Sequence, residues 1–133
     1  EEARQMSKEH SLVKAAQKIL KMGPKYLIIK KGEHGALLFH ENQIFFAPAL
    51  PLEEVVDPTG AGDTFAGGFA GYLAKTQNFS FENMKRAIIV GSAMASYTCE
   101  KFGPERLLEI NQDDINKRVA EFVSLVNFDI ELV

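Results

Sequence analysis

The spacing of hydrophobic positions changes several times along the chain, and each change predicts a different element. Between residues 9 and 23, apolar side chains recur every three or four positions, at Leu12, Ala15, Ala16, Ile19 and Leu20. This spacing is typical of an amphipathic helix. Gly23 and Pro24 are expected to end it.

Three short apolar runs then predict strands at 25–31, 36–40 and 43–47. Gly32 and Gly35 bracket a tight turn between the first two runs. Only two residues separate the last two runs, so these runs are expected to form a β-hairpin.

Helical spacing returns in the second half of the chain, which predicts helices at 61–75, 81–103 and 112–126. The first two of these carry narrow faces of small residues. The faces consist of Gly67, Gly71 and Ala74 in the first helix and of Ala87, Gly91 and Ala95 in the second. Because glycine lowers helix stability relative to alanine, we expect these faces to permit a close contact between the two helices.

Strands that alternate with helices favour an α/β fold with a mostly parallel sheet, one β-hairpin and helices on both faces. A length of 133 residues fits one domain. Open α/β sheets bind their ligands at the carboxyl ends of strands. The extended residues Val55 and Val56 lead into a glycine-rich segment at 60–62, and we expect the functional site there.

Composition argues against several classes of function. The net charge is −3 and the basic residues are scattered among acids, whereas nucleic-acid binding requires clustered Lys and Arg. The single cysteine, Cys99, excludes an internal disulfide and a cysteine-rich metal site, and we expect its side chain to be buried. No apolar run is long enough to span a bilayer, and the polar N-terminal residues are unlike a signal peptide. These features predict a cytoplasmic protein that binds neither nucleic acid nor membrane.

The segment 57-DPTGAGDTF-65 carries the chemistry that the sequence predicts. Gly60, Ala61 and Gly62 place no large side chain before the predicted helix, so its first backbone N–H groups are free to bind an anion, phosphate above all. The glycines also permit backbone angles that are closed to other residues. The segment is not a Walker loop, because no Gly-Lys-Ser/Thr follows. It is not the dinucleotide fingerprint, because Phe65 occupies the position of the third glycine.

Asp63 allows two interpretations. An acid in the first turn of a helix complements the helix dipole, which is a common structural role. Alternatively, Asp63 faces a substrate hydroxyl and accepts its proton as that hydroxyl attacks, while the N–H groups of residues 61–63 hold the oxygens of a transferring phosphoryl group. Residue spacing alone leaves both interpretations open.

Residues 56–65, VDPTGAGDTF, continued by GGF at 67–69, resemble the C-terminal signature of the ribokinase/pfkB carbohydrate kinase family, D-x-T-G-A-G-D followed by a helix of small residues. The resemblance implies part of a ribokinase-like three-layer sandwich and an ATP-dependent phosphotransfer to a hydroxyl of a sugar. It also implies a catalytic base and an anion hole, which it assigns to Asp63 and to Gly60, Ala61 and Gly62.

The resemblance further implies a monovalent cation site beside the ATP site. In many relatives, the positions of Asp57 and of the Thr59 carbonyl help to bind K⁺. Residues 92–107 occupy the positions at which relatives form a wall of the adenine pocket and close the cation loop. Within this segment, the resemblance assigns nucleotide binding to Gly103. Residues 99–101, CEK, depart from the commoner basic version of this loop, which leaves the cation dependence undecided.

The first half of the chain matches the family at two further places. The segment 31-KGEHGA-36 occupies the position of a glycine turn near the nucleotide, so the resemblance implies ATP binding by Gly32 and Gly35. Lys30 and Lys31 either approach the ATP phosphates or are solvated lysines at the end of the strand, and we favour the second interpretation. Glu2 matches the glutamate of an Asn-x-x-Glu-Ala motif that organises Mg²⁺ and its waters near the phosphates, and Mg²⁺ accepts few protein ligands.

The resemblance covers nearly the whole chain but only the C-terminal part of the family. Residues 1–133 are therefore expected to be the nucleotide-binding and catalytic-base part of a ribokinase-like domain, without its N-terminal part and its lid. We expect negligible kinase activity from this piece alone, because phosphoryl transfer requires both substrates to be positioned. We also expect self-association at an uncovered sheet edge.

Two alternatives to a sugar kinase use the same residues. A nucleoside (adenosine-type) kinase of the same family would share the catalytic base and the anion hole. A non-catalytic module would keep the phosphate site and bind a nucleotide or a sugar phosphate, although a carboxylate beside phosphate gives such a binder no advantage.

Overall fold

The computed structural model describes residues 1–50, 60–100 and 109–131. The elements within these residues are α1 (Glu2–Ser7), α2 (Leu12–Leu20), β1 (Leu27–Lys30), β2 (Ala36–His40), β3 (Gln43–Ala47), α3 (Ala61–Thr76), α4 (Phe81–Glu100) and α5 (Gln112–Val126). The chain divides into two compact units, Glu1–Ala49 and Leu50–Val133.

The first unit begins with two short helices. α1 ends at Ser7, and the following residue, Lys8, has a left-handed backbone (φ 61°). α2 begins after Ser11, whose side chain accepts a hydrogen bond from the Lys14 N–H (3.4 Å). The predicted helix at 9–23 is therefore confirmed in its centre and shorter at both ends. The residues of α2 that are buried lie on the predicted apolar face, and they are Ala15, Ala16 and Ile19.

The three strands of the first unit form one antiparallel sheet in the order β1-β2-β3. Leu27 of β1 pairs with Phe39 of β2, and Phe39 pairs with Ile44 of β3. The predicted strands and the hairpin of β2 and β3 are confirmed, but the mostly parallel sheet is not found among the described residues. Only five residues connect β1 to β2, whereas a parallel pairing needs a crossover of a dozen or more.

In the second unit, α3 and α4 approach most closely where two glycines face each other. A Cβ atom at Gly91 would lie 2.7 Å from the Phe65 carbonyl oxygen, and one at Gly68 would lie 3.0 Å from the Gly91 Cα. The first distance is shorter than contacts that a real Cβ makes, and the second is tighter than nine in ten of them. The predicted close contact between the two helices is confirmed, and Gly91 belongs to it.

The prediction that Gly67 and Gly71 form this contact is wrong. A Cβ atom at either glycine would meet no atom within 4 Å. Gly68 lies three residues after the buried Phe65 and shares its face of α3. The rotation of α3 about its axis, set by burial of Phe65 and Leu73, therefore selects Gly68.

Gly91→Ala is expected to lower the free energy of unfolding by about 1–2 kcal/mol, because overpacking costs about 1–3 kcal/mol and outweighs the helix propensity gained. Gly67→Ala is the matched control, since its methyl group meets no atom. It is expected to raise the free energy of unfolding by about 0.5–1 kcal/mol. Urea denaturation measures both, and effects of the same sign would contradict the packing described.

α5 begins with a capping box. The Asn111 side chain accepts a hydrogen bond from the Asp114 N–H (2.9 Å), and the Asp114 carboxylate accepts one from the Asn111 N–H (3.0 Å). Both bonds satisfy backbone donors that have no partner within the helix. The predicted bounds 112–126 are confirmed, and Phe122 is the fully buried aromatic residue of α5.

Cys99 is half-buried near the end of α4, so the prediction that its side chain is buried is wrong. The preceding residue, Thr98, faces the helix packing instead and is 1% exposed. Neighbouring positions on a helix point in different directions, which the local sequence pattern did not resolve. In the part of the chain that the structure describes, no helix is long and apolar enough to cross a membrane.

Candidate functional site

The candidate site begins with Gly60, which has a left-handed backbone (φ 82°, ψ −4°) and directly precedes α3. Residues with a side chain are strained at this positive φ, which glycine adopts freely. The Thr64 N–H donates the first hydrogen bond of the helix to the Gly60 carbonyl (3.0 Å). The N–H groups of residues 61–63 precede this bond and have no acceptor within the helix.

Within the described residues, no side chain caps the N-terminus of α3. Gly60, Gly62 and Asp63 are exposed and Ala61 is half-buried, so a ligand can reach the N–H groups. These groups carry the positive end of the helix dipole, which favours an anion. The observed backbone therefore fits a phosphate group at the position predicted for the anion hole.

Asp63 lies in the first turn of α3 with an exposed side chain. Across the segments that the structure describes, its carboxylate forms no hydrogen bond or ion pair. A carboxylate with unoccupied lone pairs can accept a proton from a hydroxyl group. A candidate proton acceptor and a candidate anion site therefore share one helical turn.

Two threonines without a predicted role lie behind this turn. Thr64 Oγ1 donates a hydrogen bond to the Gly60 carbonyl (3.0 Å), and Thr98 Oγ1 on α4 donates one to Thr64 Oγ1 (3.2 Å). A threonine four residues after a carbonyl often bonds back to it, so the sequence carried a signal for Thr64. The Thr98 bond depends on how α4 packs on α3 and has no comparable signal.

A buried arginine on α5 holds the end of α4. The Arg118 guanidinium donates to Ser96 Oγ (2.8 Å) and pairs with the Glu100 carboxylate (2.6 Å). It also lies over the Tyr97 ring, with 4.1 Å from Cζ to the ring centroid. Arg118 precedes the buried Phe122 by four residues on the same helical face, and a charge on an apolar face was a signal available in the sequence.

Three predicted residues, Asp57, Thr59 and Gly103, lie outside the described residues. Their roles in cation and nucleotide binding stay predictions. Glu100 is the last described residue before Gly103, and it ends α4. Glu100 is the acidic residue among the three that differ from the commoner basic version of the family loop, and its carboxylate pairs with Arg118.

In the first unit, Gly32 and Gly35 lie on the turn between β1 and β2, where Gly32–His34 form one turn of 3-10 helix. Both glycines have a positive φ, 56° and 89°. A Cβ atom at Gly35 would collide with the Ala47 carbonyl, and the Lys31 N–H donates to the Gly35 carbonyl (2.7 Å). The fold therefore requires glycine at Gly35, and nucleotide binding by either glycine stays a prediction.

Glu2 is exposed in the first turn of α1. Among the described residues, no three acidic, histidine or cysteine side chains form a group that could hold a metal ion. Mg²⁺ keeps several waters and needs few protein ligands, so a single exposed glutamate fits the predicted role of Glu2, which stays a prediction. Lys30 and Lys31 are exposed, in agreement with their interpretation as solvated lysines.

A separate groove of about 690 Å³ lies between α3, α4 and α5. Its walls are mainly apolar and include Gly67, Ile89 and Val119. None of the predicted site residues lines it. The candidate chemistry therefore belongs to the N-terminus of α3 and not to this groove.

Comparison with known proteins connects these features to a family. The model of the pfkB family carbohydrate kinases matches residues 1–111. The chain is 53% identical over 64 residues to the cytidine kinase of Thermococcus kodakarensis, in an alignment that covers 45% of this chain and 23% of that protein. It is 32% identical over 111 residues to the ribokinase of Staphylococcus aureus, which covers 80% of this chain and 35% of that protein. The chain thus spans between 23% and 35% of the length of these two relatives.

A solved structure shows the same fold. The aminoimidazole riboside kinase of Salmonella enterica, complexed with aminoimidazole riboside and an ATP analog, matches 90% of this chain and 39% of its own chain. The TM-score is 0.73 at 29% sequence identity. The predicted resemblance and the ribokinase-like α/β fold class are confirmed.

Proposed function

The chain belongs to the pfkB family of carbohydrate kinases, and on that premise we propose that it forms the nucleotide-binding and catalytic-base part of an enzyme that transfers the γ-phosphoryl group of ATP to a hydroxyl of a sugar. The observation that carries this proposal is the N-terminus of α3, which no described side chain caps and where Asp63 and the N–H groups of residues 61–63 share one turn. An anion site alone would serve a binding protein. The carboxylate beside it serves a reaction in which a hydroxyl loses its proton.

Asp63 accepts the proton of the acceptor hydroxyl as the hydroxyl oxygen attacks the γ-phosphorus of ATP. The bond from the γ-phosphorus to its bridging oxygen breaks, and ADP leaves with the electron pair of that bond. The N–H groups of residues 61–63 donate hydrogen bonds to the charged oxygens of the group in transfer. Donors that are already oriented stabilise this charge without reorganising during the reaction.

ATP supplies the phosphoryl group, and Mg²⁺ offsets the negative charge of its phosphates. We keep the ligand-binding roles that the family resemblance implies. These roles are Mg²⁺ organisation by Glu2, nucleotide binding by Gly32, Gly35 and Gly103, and monovalent cation (K⁺) binding by Asp57 and the Thr59 carbonyl. Their support is family membership, together with the exposed position of Glu2 and an ATP analog in the Salmonella enterica relative.

A nucleoside kinase of the same family is the second candidate. The identity of 53% over 64 residues with the cytidine kinase of Thermococcus kodakarensis supports this second candidate. Asp63 and the anion site do not distinguish the two candidates, because sugars and nucleosides both present a hydroxyl to the base. The distinction depends on the residues that bind the acceptor.

We expect the full-length protein that contains this chain to phosphorylate at least one sugar or nucleoside, at a rate of about 1–100 s⁻¹ that is typical of kinases. A coupled assay of ADP release over a panel of pentoses, hexoses and nucleosides measures this, and mass spectrometry identifies the phosphorylated product. Residues 1–133 alone are the control and are expected to show negligible turnover, because they do not position both substrates.

The outcomes of this assay separate the candidates. Turnover of nucleosides without turnover of sugars selects the second candidate. ATP binding without turnover of any panel member would favour the non-catalytic binding module and contradict the proposed reaction.

A further inference from the structure

Thr98 connects α4 to the candidate anion site through two hydroxyl groups. Thr98 Oγ1 donates to Thr64 Oγ1 (3.2 Å), and Thr64 Oγ1 donates to the Gly60 carbonyl (3.0 Å). The Thr64 N–H donates to the same carbonyl, also at 3.0 Å. The Gly60 carbonyl is therefore held by two hydrogen bonds, both from Thr64.

The Gly60 carbonyl and the Ala61 N–H belong to the same peptide group. This group is planar and trans, so its C=O and N–H point in opposite directions. A carbonyl that is fixed towards Thr64 therefore fixes the Ala61 N–H away from Thr64, on the side from which an anion approaches the helix end. Gly60 has no Cβ to restrict the rotation of this peptide group, so the restraint comes from the hydrogen bonds.

Thr98 sets the direction in which the Thr64 hydroxyl donates. A hydroxyl group has one hydrogen and two lone pairs. When Thr98 donates to one lone pair, the Thr64 hydrogen is directed to the Gly60 carbonyl, and the two bonds strengthen each other. Thr98 is 1% exposed, so water does not compete for its own hydroxyl group.

The donor itself has a fixed position. Ser96 and Glu100, two residues before and two residues after Thr98, both bind the Arg118 guanidinium (2.8 and 2.6 Å). These bonds fasten the end of α4 to α5. The backbone of α4 is therefore anchored two residues before and two residues after Thr98, which fixes the position of the Thr98 hydroxyl.

We propose that Thr98 is a positioning residue for phosphoryl transfer, which acts through Thr64 to hold the Ala61 N–H in the orientation that binds the group in transfer. This inference rests on the proposed function. Thr98 is buried behind α3 and acts on the substrates only through Thr64. Its loss therefore weakens binding of the transition state and leaves the binding of ATP and of the acceptor in the ground state nearly unchanged.

Thr98→Val removes the hydroxyl group and keeps the shape of the side chain. In the full-length kinase we expect kcat to fall roughly tenfold. Removal of a hydrogen-bond donor lowers kcat by a factor of about 10²–10³, and a donor that is only misoriented costs less. The KM values for ATP and for the acceptor are expected to stay within about twofold. Thr98→Ser keeps the hydroxyl and is expected to retain kcat within about twofold. Steady-state kinetics and urea denaturation of each variant measure these effects.

Thr76→Val is the matched control. Like Thr64, Thr76 donates its hydroxyl hydrogen to the carbonyl of the fourth preceding residue, Tyr72 (2.9 Å), and accepts from another side chain, that of Asn83 (2.8 Å), but it lies at the opposite end of α3. It is expected to change neither kcat nor the KM values, even where it lowers the free energy of unfolding. A loss of kcat equal to that of Thr98→Val would show a general effect of helix stability and overturn the inference.

Further results overturn the inference without disturbing the proposed reaction. One such result is an active wild-type enzyme in which Thr98→Val keeps the wild-type kcat. Another is a loss of kcat in Thr98→Ser as large as the loss in Thr98→Val. If Thr98→Val does not fold, Thr64→Val removes the middle hydroxyl and is expected to show the same tenfold loss, and an unchanged kcat there overturns the inference. When both single variants fold, kcat of the double variant is expected to fall no further than kcat of the less active single variant, because the two hydroxyls act as one chain. A wild-type enzyme without turnover of any acceptor would instead refute the proposed function and this inference with it.

Discussion

Under the proposed function, Asp63→Asn in the full-length protein is expected to lower kcat by about a thousandfold, because a positioned general base contributes about 10²–10⁴ to the rate. Asparagine keeps the size of the side chain but does not accept the proton of the acceptor hydroxyl. The affinity for ATP is expected to stay the same or to rise, since the substitution removes a negative charge beside the phosphates. Steady-state kinetics give kcat, and calorimetric titration gives the ATP affinity.

Asp113→Asn separates catalysis from the interaction with the helix dipole. Asp113 is exposed in the first turn of α5, as Asp63 is in the first turn of α3. Both substitutions therefore lose a similar dipole interaction, about 0.3–1 kcal/mol, and both should lower the free energy of unfolding by a similar small amount. Only Asp63→Asn is expected to lose activity. If its kcat stayed near that of the wild type, Asp63 would be a dipole partner and not the base.

Arg118→Met is expected to lower the free energy of unfolding by about 3 kcal/mol. Breaking a buried ion pair leaves the other charge without its partner, which costs about 3–5 kcal/mol. The Glu100 side chain is 29% exposed, and partial contact with water places the loss at the lower end of that range. Methionine keeps an aliphatic stem over the Tyr97 ring, so the loss reports the charge and the hydrogen bonds. Urea denaturation measures it.

Two controls accompany this variant. Arg118→Met combined with Glu100→Gln removes both charges of this pair and is expected to recover most of the stability, because neutral replacement of a buried pair is often tolerated and the other carboxylate partner of Arg118, Glu121, is 46% exposed. Lys85→Met breaks the surface pair of Lys85 and Glu82 (2.8 Å) and is expected to shift the urea midpoint little. If the double variant were as unstable as Arg118→Met alone, the loss would come from packing and not from the unpaired charge of Glu100.

The features that could be predicted from the sequence are those that depend on a few neighbouring residues. α5 has its predicted bounds and its Asn111 cap, because helical spacing and capping both act within a few residues. β2 and β3 also have their predicted bounds, since a two-residue connection restricts two apolar runs to a hairpin. The left-handed Gly60 and the exposed Asp63 follow from the same local chemistry, so the centre of the candidate site was predictable.

The features that could not be predicted depend on how elements pack. Gly68 faces α4 because of the rotation of α3, whereas the spacing of small residues pointed to Gly67 and Gly71. The antiparallel pairing of β1 follows from its short connection to β2, which the expectation of a parallel sheet overlooked. The hydrogen bond from Thr98 to Thr64 joins residues 34 positions apart, and no local pattern specifies such a pair.

The contact between Gly68 and Gly91 also limits how this part of the protein can move. A shift of α3 along α4 by one residue, about 1.5 Å, would bring a neighbouring Cβ into a space that has no room for it. The two helices therefore travel together as a rigid body. If the protein is the proposed kinase, closure around its substrates has to hinge outside this pair, and the spacing between the N-terminus of α3 and the end of α4 stays constant.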